Sequence, residues 1–220
     1  MTNKRIWDLP VRLTHWGLVI SFFGAFFTAE GPAAITSLHI PFAFMLFTLV
    51  VFRIFWGLFG SETARFSHFV RGYGAIKAYA EELKELRHKE YWGHNPLGAL
   101  AVVAILLGNL AIISAGLFAS SRGFSGPWSG AVSTGTSALL TDTHEIFANI
   151  VMTVVVVHIV AIFGYKIVLK DNLITPMIKG TRPADESQPE PRFTSSIIAL
   201  FLLAVAVSIS SYAFGYWGLM

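Results

Sequence analysis

Cysteine is absent from all 220 residues, and charged side chains make up only 13% of them. Without cysteine the chain forms no disulfide, no thiolate iron–sulfur cluster and no covalent c-type haem attachment, which uses a C-x-x-C-H motif. Any redox or metal group must therefore be held by other side chains. A soluble domain usually carries about 25% charged residues, so the scarcity of charge argues against a surface that faces water on every side. A net charge of +3 and an isoelectric point near 9.3 would fit a nucleic-acid binder. The basic residues are instead confined to one side of the expected topology, and no nucleic-acid partner is expected.

Apolar residues fill the space that charge leaves, at 54% of the chain with a mean hydropathy of +0.61. Four runs, 39–60, 97–119, 145–168 and 195–219, approach or exceed the roughly 20 apolar residues needed to cross a bilayer, and a shorter fifth covers 13–31. The pattern predicts an all-α membrane protein. Residues 1–182 are expected to form a four-helix transmembrane bundle, with a cytoplasmic amphipathic connection at 61–96. Residues 183–194 read as a proline-punctuated linker to an additional C-terminal transmembrane helix at 195–219.

Five alternating spans place fourteen of the sixteen Lys and Arg residues on one side. Arg122 falls opposite, and Arg53 lies within a span. The positive-inside rule then puts the N-terminus in the cytoplasm and the C-terminus in the periplasm of a bacterial inner membrane, in contact with lipid.

Within the connection, Ile76, Tyr79, Leu83 and Leu86 recur at helical spacing on an otherwise charged segment, as in a helix lying on the membrane surface. The loop 120–141 reads as irregular. Asp142 followed by Glu145 resembles a capping box that starts the fourth span, and Ser37 is placed to cap the second. Asn109 is expected to form a helix–helix hydrogen bond. His68, His88 and His94 are expected to be solvated in the connection.

Histidines inside the spans are costly and demand a reason. His144 and His158 are fourteen residues apart, which on a helix is about 21 Å along the axis and nearly four turns, so they share one face. In the alternating topology His39 and His144 lie near the outer end of their spans, and His15 and His158 near the inner end. Sequence order and helix rise thus give two pairs at two depths. Neutral imidazole is the commonest metal ligand, and two facing histidines can hold a haem iron axially. Two stacked bis-histidine haems account for both the spacing and the level matching.

The face between His144 and His158 passes through the small residues Ala148, Val151 and Val155. On the second span the corresponding face runs from His39 through Ala43, Leu46 and Val50 to Arg53. Arg53, and Arg12 one turn before His15, are either interface anchors or partners for a haem propionate, a carboxylate that a guanidinium matches with two hydrogen bonds.

The segments IWDLPVRLTHW, HIPFAFMLFTLVVFRIFWGLFGSETARF, YWGHNPLGALAVVAILL, THEIFANIVMTVVVVHIV and DNLITPMIKGTRP, in this order, resemble the prokaryotic cytochrome b561 family. That group includes the b-type cytochrome subunits of nickel–iron hydrogenases. The resemblance covers residues 5–182. It implies a four-helix core with two haem b groups that carries electrons between quinone and a partner, with His15, His39, His144 and His158 as iron ligands. The helix at 195–219 has no counterpart in that pattern.

The expected function is transmembrane electron transfer between the quinone pool and a periplasmic redox protein, such as a c-type cytochrome or an oxidoreductase subunit. An alternative is direct oxidation of a small molecule such as superoxide, with quinone as acceptor. A third has the histidines serve a metal or proton transporter.

Overall fold

A computed structural model describes residues 2–87, 91–121 and 124–215. The expectations for His88 and Arg122, and the end of the helix expected at 195–219, lie outside these residues. In chain order the elements begin with β1 (Thr2–Arg5), α1 (Leu9–Phe27), α2 (Ala33–Thr36), α3 (His39–Phe59), α4 (Phe66–Phe69) and α5 (Tyr73–Lys84). They continue with α6 (Pro96–Gly116), β2 (Ser120–Ser121), β3 (Phe124–Ser125), α7 (Thr134–Ile167), α8 (Ile174–Lys179), β4 (Thr181–Ala184) and α9 (Ser196–Ala213). Short 3-10 turns occupy Glu62–Ala64 and Ser129–Ala131.

Five helices are long and apolar enough to cross a membrane: α1, α2 with α3, α6, α7 and α9. Their large aliphatic side chains point outward in quantity, among them Leu13, Leu107, Val157, Val160 and Phe201, as a lipid-facing surface requires. Inside, α1 packs along α3 and α6 along α7, while α3 also meets α6 and α9. One apolar cluster is built from Leu46 and Val50 of α3, Leu106, Ile112 and Ile113 of α6, and Val151 of α7. A second gathers Trp7, Phe52, Trp56 and Ala64 with Ala199, Leu202 and Ala206 of α9. Gly108 lets α6 approach α7, since a Cβ there would sit 2.3 Å from the Val151 Cγ2.

Polar side chains begin the helices. Asp8 starts α1 by accepting from the Val11 N–H at 2.7 Å, and its other oxygen accepts from Trp56 Nε1 at 3.0 Å. Asn95 starts α6 by accepting from the Gly98 N–H at 2.7 Å, with Pro96 in the first turn. The fourth span differs from its expected start. Ser133, not Asp142, caps α7, so Asp142 and Glu145 lie within a helix of 34 residues. Part of the loop expected at 120–141 is accordingly a short hairpin, β2 with β3, followed by the first turns of α7. Ser37 also fails to cap α3, which starts after Leu38 without a side-chain cap, and Ser37 Oγ donates to the Ala34 carbonyl instead.

At the N-terminal face, β1 pairs antiparallel with β4, Thr2 opposite Ala184 and Arg5 opposite Thr181. This clasp runs through the boundary expected at 182/183. It is fastened by a buried ion pair between Arg182 Nη2 and Asp171 Oδ1 at 2.7 Å. In the connection, α5 carries Ile76, Tyr79 and Leu83 of the expected stripe and packs on α6, whereas Leu86 falls beyond its end and is exposed. Tyr79 is fully buried, with its hydroxyl 2.8 Å from that of Tyr165. Burial pushes the Tyr79 hydroxyl well above the usual phenol range.

Candidate functional site

Each histidine of the His39–His144 pair is oriented by a helix that does not carry it. His39 opens α3, and its Nδ1 lies 2.8 Å from the Ala25 carbonyl of α1. His144 of α7 places its Nδ1 2.8 Å from the Ile112 carbonyl of α6. A carbonyl oxygen only accepts, so both Nδ1 atoms carry the proton and both Nε2 atoms keep a free lone pair. Donation from one ring nitrogen to backbone is how a histidine is held for ligation through the other.

The two ring centroids are 6.1 Å apart, with planes inclined by 70°. A metal bound about 2 Å from each Nε2 sets such centroids about 6 Å apart, so the gap fits one iron. Gly116 makes this possible, because a Cβ there would lie 2.8 Å from His144 Nδ1. Phe124 of the hairpin stands edge-on to His39 at 5.7 Å.

At the second level His15 comes from α1 and His158 from α7, close enough for their charges to interact with each other. Neither ring makes a hydrogen bond among the described residues, and His15 stands edge-on to Trp16 at 5.2 Å. The His15 and His158 rings are not in contact with each other as those of His39 and His144 are. Arg53 reaches the same level from α3. It is only 6% exposed, donates from Nη1 to the Ala64 carbonyl at 3.2 Å, and lies over Phe66 and Phe69 at 5.4 and 5.9 Å. Among the described residues no carboxylate lies within ion-pair distance of Arg53. Asp8 is the acid whose charge it feels, and both Asp8 oxygens are occupied. A buried cation without an anion is expensive.

Arg12 is engaged elsewhere: its Nη2 donates to the Ile178 carbonyl of α8, and its Nε is buried without a partner. Of the two faces that run between the levels, Val50, Leu46 and Val151 are buried and Ala43, Ala148 and Val155 are half-buried. Asn109 corrects its expectation. Its amide donates at 2.8 Å to Ile105 of its own helix, and Oδ1 is buried without a partner.

His94 is the residue that sequence reasoning missed. Far from being solvated, its ring packs against Phe69 at 4.3 Å and Trp7 at 4.7 Å, and its Nδ1 is buried without a hydrogen bond. Burial, and then the charges of Arg53, His15, His158 and His68, lower its pKa to about 3, so it is neutral at physiological pH. The signal in the sequence was its place between Gly93 and the Asn95–Pro96 helix start, which turns the chain back under the bundle. His68 remains partly exposed, 3.8 Å from Glu62.

Among the described residues His39 and His144 meet ring to ring, His15 and His158 are near enough to interact electrostatically, and no group of three or more metal-ligating side chains forms. Paired imidazoles with free Nε2 atoms, a gap of one metal's width, an unanswered buried guanidinium and no cysteine fit haem b, a non-covalent iron porphyrin bearing acidic propionates. The class so defined is a membrane-embedded helical bundle of b-type cytochrome character. The sequence profile of the family described as Prokaryotic cytochrome b561 matches residues 6–180. The chain belongs to the prokaryotic cytochrome b561 family, and with that membership come haem b binding and electron transfer in the membrane. No curated protein and no solved structure matches the chain. The matched region ends before α9.

Proposed function

We propose that the protein is a dihaem b cytochrome of the bacterial inner membrane that carries electrons between the quinone pool and a periplasmic redox protein. The N-terminus and the β1–β4 clasp lie in the cytoplasm, and the C-terminus lies in the periplasm, as the one-sided distribution of Lys and Arg supports. His39 and His144 ligate at the periplasmic level, and His15 and His158 at the cytoplasmic level. The observation that carries this reading is the His39–His144 pair, two Nδ1–H donors locked on backbone carbonyls with 6.1 Å between ring centroids.

Haem b, when bound, supplies a one-electron iron couple. The chain's residues do the rest. His39 and His144, held through their Nδ1–H groups, and His15 and His158 would ligate the iron. Leu46, Val50, Leu106 and Val151 keep water from the space between the levels. Arg53 answers an acidic side group at the cytoplasmic level, and Arg12, one turn before His15, is the second guanidinium near that level, its Nη2 held by the Ile178 carbonyl.

Reconstituted in vesicles with haem b, the protein should pass electrons from quinol to a membrane-impermeant acceptor on the periplasmic side, through absorbance bands of b type. Bands that do not respond to quinol, from either side, would contradict the quinone assignment.

A further inference from the structure

The polar group that the histidine pairs leave unused is His94, a half-buried residue whose Nδ1 is itself buried. Its backbone is fixed on both sides. Gly93 adopts φ +112°, a conformation that L side chains rarely take, and Asn95 caps α6. The imidazole is wedged between Trp7 and Phe69, and its Nδ1 has neither solvent nor a partner. Phe69 also lies 5.9 Å from the Arg53 guanidinium, so one ring is flanked by both polar groups. The charges of Arg53, His15, His158 and the more exposed His68 all reach His94, and Phe69 is the ring that joins it to Arg53. Arg53 spends one N–H on the Ala64 carbonyl and has no carboxylate within ion-pair distance among the described residues. A buried guanidinium with only the charge of Asp8 to answer it, and an imidazole nitrogen without a partner, ask for one anion with two acceptor oxygens.

We propose that His94 and Arg53 together hold a carboxylate of the porphyrin ligated by His15 and His158, with His94 as hydrogen-bond donor and Arg53 as counter-charge. This rests on the ligation reading above. A carboxylate beside a haem favours the oxidised iron, and donors that hold it offset that effect, since charge and hydrogen bonding tune the potential. His94 is thus a positioning residue for the group that carries the electron.

The test uses the full chain with haem bound. His94→Leu and His94→Phe both delete the donor, and Phe keeps the ring packed between Trp7 and Phe69, so it folds where Leu does not. His94→Gln keeps an N–H. Haem per protein and the potential of each haem are measured, the cytoplasmic-level haem being the one that His158→Ala removes. The donor-less variants should lower the potential of that haem alone or halve the haem content by losing it. Gln should restore it toward wild type, and Arg53→Gln should act in the same direction and less than additively with His94→Phe.

Unchanged content and potential at that haem in His94→Phe would overturn the proposal. So would an equal shift at both haems, or a change confined to quinol kinetics, which would mark a quinone carbonyl as the acceptor. If the wild-type protein binds two haems and only these effects fail, the ligation reading stands without His94. A wild type without haem b overturns both.

Discussion

Gly116 and His144 illustrate how much of this site turns on single atoms. Replacing Gly116 by Ala improves helix propensity by about 1 kcal/mol, yet the new Cβ would meet the His144 ring at 2.8 Å and drive Nδ1 off the Ile112 carbonyl. Gly116→Ala should therefore leave thermal stability near wild type while lowering the occupancy of the His39–His144 haem several-fold, read as haem per protein. Normal occupancy would show that the ring does not depend on that approach.

His94 sets a pH dependence. With no carboxylate bound beside it, burial depresses its pKa to about 3, so in the haem-free protein the unfolded chain binds a proton first as pH falls. Stability that is complete above about 6.5 is then lost progressively toward 3. The melting temperature of the haem-free wild type should drop more between pH 7 and pH 5 than that of haem-free His94→Phe. Equal drops would assign the acid sensitivity to other groups.

The His39–His144 contact was legible because helix rise and span alternation convert sequence spacing into depth. His94 was not legible, because its neighbours Arg87, His88, Lys89 and Glu90 made the segment look solvated. Only the folded contacts of Trp7 and Phe69 reveal the burial.

Among the elements, α7 shows where a pattern misleads. Its first turns contain Thr, Gly and Ser, poor helix formers, so the periodic apolar run pointed to a start near Asp142. Tertiary contacts extend the helix backward instead: Ser137 Oγ donates to the Phe118 carbonyl at 2.8 Å, and Thr141 Oγ1 bonds with the backbone of Ser120. The apolar faces of α3 and α7 were readable from periodicity alone. The β1–β4 clasp was not, because its polar strands carry no alternating pattern and its register depends on residues far apart in the chain.

At α1 the element rests on Asp8, which caps the helix and binds Trp56. Asp8→Ala removes a cap worth about 1 kcal/mol and leaves a buried indole N–H unpaired, at about 1–3 kcal/mol. It should destabilise the protein by roughly 2–4 kcal/mol in a detergent melting experiment, and a loss under 1 kcal/mol would mean that water replaces both bonds.

For the molecule as a whole, the bundle of α1, α3, α6 and α7 contains all four span histidines, and α9 is packed on its flank. Ala199, Leu202 and Ala206 join the core against α3, and Trp128 Nε1 donates to the Ala213 carbonyl at 2.6 Å. Ending the chain at residue 194 should lower the melting temperature but leave haem content at the wild-type level, since no histidine of either pair is on α9. Loss of haem with α9 would make it part of the site rather than a brace.

The central claim is that imidazoles from separate helices meet at two levels, each level holding one haem b. It is tested most directly by haem stoichiometry in the purified protein, alongside His144→Ala and His158→Ala. The account predicts two haem b per chain in the wild type and one in each variant, the remaining haem differing in potential between the two. A single haem in the wild type, or two haems surviving either substitution, would contradict it.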